Sequence, residues 1–95
     1  MKTQKVWFIT GASRGFGFEI AQAVLASGDK VTATVRSKPE ELASRLGNPK
    51  DLQVITLDIT SEAQAEKAAA DAIARFGTID VLVNNAGFGL LAAVE

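Results

Sequence analysis

Short apolar runs alternate with apolar stripes at helical spacing along the whole chain. Val6-Trp7-Phe8-Ile9-Thr10 reads as a strand with both faces buried, because no charged residue interrupts it. Phe18 to Ser27 carries Ile20, Ala21, Val24 and Leu25 on one helical face, and Gly28 stands where a helix closes in the left-handed region. Lys30 to Arg36 is β-branched and predicts a second strand. Ser37-Lys38-Pro39-Glu40 has the form of a capping box, which predicts a short helix ending near Leu46-Gly47. Leu52 to Leu57 is a third strand, and Ser61 with Gln64 forms a second capping box. The alanine-rich helix that follows runs to Phe76, with Ala65, Ala69, Ala72, Ile73 and Phe76 as its expected buried stripe and Gly77 as its stop. Ile79 to Val83 is a fourth strand, leading into Asn84-Asn85-Ala86-Gly87.

Strand and helix in strict alternation predict an α/β fold with a parallel sheet. With right-handed crossovers, the first three strands step in one direction and the fourth returns beside the first. The order is then 3-2-1-4, with the first two helices on one face and the third on the other. Ligands bind where such an order reverses, beyond the carboxyl ends of the strands. Two segments meet at that point: the turn Thr10-Gly11-Ala12-Ser13-Arg14-Gly15-Phe16-Gly17, and Asn85-Ala86-Gly87. Glycines allow positive φ and close backbone approach, and the helix after them directs free N–H groups and its positive dipole end outward. That combination suits a phosphate.

Composition narrows the chemistry. The 95 residues are 47% apolar with a net charge of −1, enough for one packed domain and without the basic patch that nucleic acid requires. Nothing points to a membrane surface or a bilayer span, and no signal-peptide core precedes the first strand. A cytoplasmic location is the expectation. There is no Cys, His or Tyr, which removes thiol catalysis, disulfides and a Ser-His-Asp triad from these residues. A P-loop is also excluded, because the glycine turn lacks the Lys-Ser/Thr ending.

The motifs together resemble the short-chain dehydrogenase/reductase family, in its N-terminal cofactor-binding half. Thr10 to Gly17 is similar to the family's TGxxxGxG turn, Asp58 to its adenine-contacting aspartate, and Asn84 to Gly87 to its NNAG motif. The resemblance covers the chain and implies a Rossmann-type, doubly wound sheet. It also implies that residues 1–95 form half of one domain, whose Ser and Tyr-x-x-x-Lys catalytic set lies after the NNAG motif. The chain is then expected to be an N-terminal fragment of a reductase. Its fourth strand becomes an edge and one sheet face is left partly open, which predicts weak stability or self-association of the isolated piece. Within these residues the implied cofactor contacts are Gly11, Ser13, Arg14, Gly15, Phe16, Gly17, Arg36, Asp58, Ile59, Asn85, Ala86 and Gly87.

Cofactor choice has a physical reading. An NAD site places a carboxylate at the end of the second strand to accept from the ribose hydroxyls. Here that position holds Thr34-Val35-Arg36-Ser37. Arg36 and Arg14 can instead pair with a 2′-phosphate, which favours NADP(H). The expected reaction of the full protein is hydride transfer between NADP(H) and a small-molecule carbonyl or alcohol, in a homo-oligomer. A rival expectation is a non-catalytic nucleotide-binding module or decoy. Asp58 has a second reading as a brace for the next helix, Asn84 as a cross-strand tie, Trp7 and Phe8 as core, and Phe88 to Leu91 as a substrate entrance or a plain loop.

Overall fold

In the computed structural model, which describes residues 4–13, 15–58 and 61–85, seven elements follow one another. They are β1 (Val6–Ile9), α1 (Gly15–Ala26), β2 (Lys30–Val35), α2 (Pro39–Arg45), β3 (Leu52–Thr56), α3 (Glu62–Phe76) and β4 (Val81–Val83). The strands form one parallel sheet in the order β3-β2-β1-β4. Phe8 pairs with Thr32 on one side and Leu82 on the other, and Thr32 pairs with Gln53. The expected alternation and strand order both hold.

Strand alternation sends neighbouring side chains to opposite faces, and the helices divide accordingly. Ile9, Val31, Ala33, Val35 and Leu52 pack with Ala21 and Val24 of α1 and Leu42 of α2. Phe8 and Leu57 pack on the other face with Ala65, Ala68 and Ala72 of α3. That second face is partly polar. Thr32 donates to Gln53 Oε1 at 3.0 Å, and Gln53 Nε2 donates to the Asp71 carbonyl at 3.4 Å, so these buried and half-buried groups satisfy one another.

Several element ends differ from the sequence expectation, each for a local reason. Helix α1 begins at Gly15 rather than Phe18, so the last part of the glycine turn is already helical. The Ser37–Glu40 capping box does not form. Lys38 occupies the N-cap of α2 in the left-handed region (φ 54°), with no side-chain cap, and Pro39 follows as the first helical residue. The left-handed step at Lys38 takes Ser37 out of capping position. At α3 the box forms by half: Ser61 Oγ accepts from Gln64 N at 3.3 Å, while Gln64 Oε1 accepts from Asp58 N at 2.8 Å.

The buried stripe of α3 is rotated. Ala65, Ala68 and Ala72 face the sheet, and Ile73 is 49% exposed. Small side chains allow a close helix-to-sheet approach, and the larger Ile73 is left at the rim. Strand β4 begins two residues later than expected because Asp80 Oδ2 accepts the Val6 N–H at 2.8 Å, a side-chain bond at the entrance to the ladder. Trp7 is half-buried rather than fully core, and its Nε1 donates to Asp29 Oδ2 at 3.1 Å.

Candidate functional site

All four strands are parallel, so Gly11, Arg36, Asp58, Asn84 and Asn85 follow their carboxyl ends at one edge of the sheet. The turn after β1 is the centre of this edge. Thr10 N donates to the Val83 carbonyl at 3.0 Å and continues the β1–β4 pairing by one residue. Thr10 Oγ1 donates to Asn84 Oδ1 at 3.2 Å, which ties the segment after β4 to the end of β1. Gly11 takes φ 62°, its N–H lies 3.4 Å from Thr34 Oγ1, and Ala12 N donates to the Thr34 carbonyl at 3.1 Å. Asn85 Nδ2 donates to the Gly11 carbonyl at 3.0 Å. Arg45 Nη1, from α2, donates to the Ser13 carbonyl at 2.7 Å. Strand β2, the segment after β4, and α2 therefore each fix a different backbone group of one turn.

The glycines at the start of α1 serve separate purposes. Gly15 has φ +62° and open space where a Cβ would stand, so its backbone conformation is what requires glycine. Gly17 is buried, and a Cβ there would lie 2.6 Å from the Gly11 carbonyl oxygen, 2.8 Å from Asn85 Nδ2 and 3.0 Å from Ala12 Cα. Its absence lets α1 start hard against the turn.

The local electrostatics favour an anion. The first turn of α1 has no acidic residue, so no carboxylate of that turn offsets the positive end of its dipole. Arg36 is exposed just beyond β2 and makes no ion pair among the described residues. Phe16 is 76% exposed beside the turn, an unusual setting for a large aromatic ring. Asp58 is exposed beyond β3, and both backbone groups are committed to the start of α3: its N–H donates to Gln64 and its carbonyl accepts from Ser61 N at 3.0 Å. The bracing role of Asp58 is thus met by its backbone.

Arg14, Ile59, Ala86, Gly87 and the segment 88–91 lie outside the described residues. A separate pocket of about 300 Å³ lies between α2 and β3, lined by Pro39, Ala43, Pro49, Leu52 and Val54 among others, and contains none of the candidate residues. Sequence reasoning missed Thr34 and Arg45. Neither belongs to a local motif; each reaches the turn only through the packing of another element.

A 3-2-1-4 parallel sheet with a glycine turn and helix N-terminus at its reversal point defines a Rossmann-type protein. The family model for short chain dehydrogenases matches residues 5–95, and the chain belongs to that family. It is 46% identical over 93 residues to oxidoreductase BOA17 of Botryotinia fuckeliana, covering 96% of this chain and 34% of that protein. It is 42% identical over 86 residues to the 3-oxoacyl-[acyl-carrier-protein] reductase FabG of Salmonella typhimurium, covering 87% of this chain and 34% of that one. Among solved structures, a short-chain dehydrogenase from Streptomyces avermitilis superposes with a TM-score of 0.80 at 45% identity, over 87% of this chain and 31% of the other. A Brucella melitensis 3-oxoacyl-[acyl-carrier protein] reductase in complex with NAD gives a TM-score of 0.80 at 32% identity, over 94% and 36%. The chain spans about a third of the length of the curated relatives it matches.

Proposed function

We propose that these residues form the NADP(H)-binding part of an oxidoreductase that moves a hydride between the cofactor and a carbonyl or alcohol carbon. The observation that carries this reading is the braced glycine turn at the start of α1, with no carboxylate in the helix's first turn and with Arg36 exposed at the same sheet edge. The residues present fit a dinucleotide. Open space at Gly15 and the N-terminal N–H groups of α1 suit a pyrophosphate, and an arginine rather than a carboxylate follows β2.

In this reading the turn from Gly11 to Gly17 holds the pyrophosphate, with Ser13, Arg14 and Phe16 among its cofactor contacts. Arg36 and Arg14 take the 2′-phosphate through charge-assisted bonds. Asp58 and Ile59 border the adenine, and Asn85, Ala86 and Gly87 border the ribose on the nicotinamide side. The nicotinamide, when bound, supplies or accepts the hydride. The chain's own task is to bind and orient; proton transfer falls to a tyrosine–lysine pair outside these 95 residues, which contain no tyrosine. A carbonyl or alcohol substrate, a homo-oligomeric full-length protein and a cytoplasmic location complete the proposal.

A second reading is a nucleotide-binding module without turnover. Titrating the intact polypeptide with NADPH and NADH, then assaying NADPH oxidation with a panel of ketones and aldehydes, separates the two. Tighter NADPH binding with turnover supports the reductase. Saturable binding without turnover supports the module, and no binding of either nucleotide overturns both.

A further inference from the structure

Among the described residues, different elements hold different parts of the glycine turn. Gly11 and Ala12 are held by Thr34 and Asn85, groups that belong to the sheet or follow it directly. Beyond Ala12, the described hydrogen bond that ties the turn to another element is the one from Arg45 Nη1 to the Ser13 carbonyl, 2.7 Å long. The same guanidinium lies over the Phe18 ring, 4.2 Å from its centroid. Phe18 is in the first turn of α1 and packs against the core formed with α2. One planar cation therefore contacts both the Ser13 carbonyl and the first turn of α1.

Helix α2 has other anchors. Leu42 is 2% exposed, Leu46 N and Asn48 N donate back to the Leu42 and Ala43 carbonyls, and Leu52 N donates to the Pro49 carbonyl. Its flanks take fixed left-handed steps at Lys38 and Asn48. Helix α2 is thus a platform from which Arg45 reaches out, rather than an element that depends on Arg45. A guanidinium suits the task because its rigid plane can stack on a ring while its edge donates.

We propose that Arg45 is a positioning residue for the phosphate-binding turn, setting the angle between the turn at Ser13 and the N-terminus of α1. The inference rests on the nucleotide-binding reading above only for its effect on ligands; the effect on the turn itself needs no ligand. The matched control is Arg75, whose Nη2 donates to the Lys50 carbonyl at 2.9 Å and whose guanidinium lies 5.1 Å from the Phe76 centroid. It makes the same pair of contacts on α3, far in the chain from the glycine turn.

The test compares R45A, R45K and R75A in the intact polypeptide. Hydrogen exchange without nucleotide is followed in peptides spanning residues 10–18, and titrations use NADPH and adenosine 2′-monophosphate. The second ligand can meet Arg36 and Arg14 but has no pyrophosphate for the turn. Loss of one charge-assisted bond predicts roughly tenfold faster exchange in the turn and roughly tenfold weaker NADPH binding in R45A. Adenosine 2′-monophosphate, held by Arg36 outside the turn and lacking the pyrophosphate, loses clearly less affinity than NADPH, R45K recovers part of both losses, and R75A alters neither. Equal turn exchange in R45A and R75A overturns the proposal, as does a parallel loss of both ligands. Wild-type protein that binds neither ligand overturns the nucleotide reading instead, and the exchange comparison then decides the positioning role alone.

Discussion

The side-chain amide of Asn85 donates to the carbonyl of Gly11 at 3.0 Å, joining residues 74 positions apart. They meet because β4 returns beside β1 instead of extending the sheet beyond β3. The same two atoms define the space at Gly17, where a Cβ would stand 2.6 Å from the carbonyl oxygen and 2.8 Å from the amide nitrogen. Turn, helix start and the segment after β4 thus pack as one unit at the reversal point of the sheet.

Substitutions at Asn85 report on that bond directly. N85A removes the donor and leaves the Gly11 carbonyl to solvent, a loss of about 1 kcal/mol for a partly exposed hydrogen bond. N85D keeps the shape but sets a carboxylate oxygen against the carbonyl oxygen, so it is the less stable of the two. Urea melts of the three proteins are expected to rank wild type, N85A, N85D. An N85D protein as stable as wild type shows that the side-chain oxygen, rather than the nitrogen, faces the turn.

The glycines of the turn predict a contrast. At Gly17 the blocking atoms are mostly backbone and cannot rotate away, so G17A falls at the upper end of the about 1–3 kcal/mol typical of overpacking. At Gly15 there is no clash, only the left-handed φ of +62°, which for alanine costs roughly 1 kcal/mol. Thermal melts of G15A and G17A check the order. A smaller loss for G17A than for G15A contradicts the close packing of α1 on the turn.

Strand order, helix sidedness and the meeting of the glycine turn with Asn85 were legible in the sequence because they follow from apolar periodicity and crossover handedness. Both are properties of whole segments, and errors at single positions do not alter them. What was not legible depends on single tertiary contacts. Ser37 and Glu40 have the spacing of a cap, yet Lys38 turns left-handed and the cap is lost. Ala68 and Ala69 are interchangeable by composition, and the sheet's need for close approach decides which one is buried. Arg45 sits in the last turn of a helix, a position usually explained by the helix dipole, and nothing local indicates that it reaches Ser13. Thr34 looks like an ordinary strand residue until the turn folds onto it.

At the opposite edge of the sheet, Asp29 is only 7% exposed and accepts from Trp7 Nε1 at 3.1 Å and from Lys5 N at 3.2 Å. D29A removes both acceptances and leaves two donors without this partner, a predicted loss of about 2–3 kcal/mol for bonds to a charged group. W7F removes one donor and keeps the ring packed, so its cost is about 1 kcal/mol. Denaturant melts measure both. Equal costs for the two variants contradict the dual role of the carboxylate. Tryptophan emission adds an independent readout, since D29A is expected to change the indole's polar surroundings while the fold persists.

Arg36 carries the prediction about cofactor choice. The side chain is exposed and has no ion-pair partner among the described residues, so R36A should leave the melting temperature unchanged. If its guanidinium meets the 2′-phosphate, R36A weakens NADPH binding roughly tenfold and leaves NADH binding within about twofold, because only one ligand carries that phosphate. R36D goes further: a carboxylate at the end of β2 repels the 2′-phosphate and can accept from the ribose hydroxyls, so the preference moves toward NADH. The quantity to measure is the ratio of the two Kd values in each protein, at one fixed salt concentration because screening weakens the contact. Parallel changes in both Kd values place Arg36 outside the 2′-phosphate site. A wild-type protein that already prefers NADH removes the case for NADP(H), and leaves the proposed pyrophosphate site without a selectivity residue after β2.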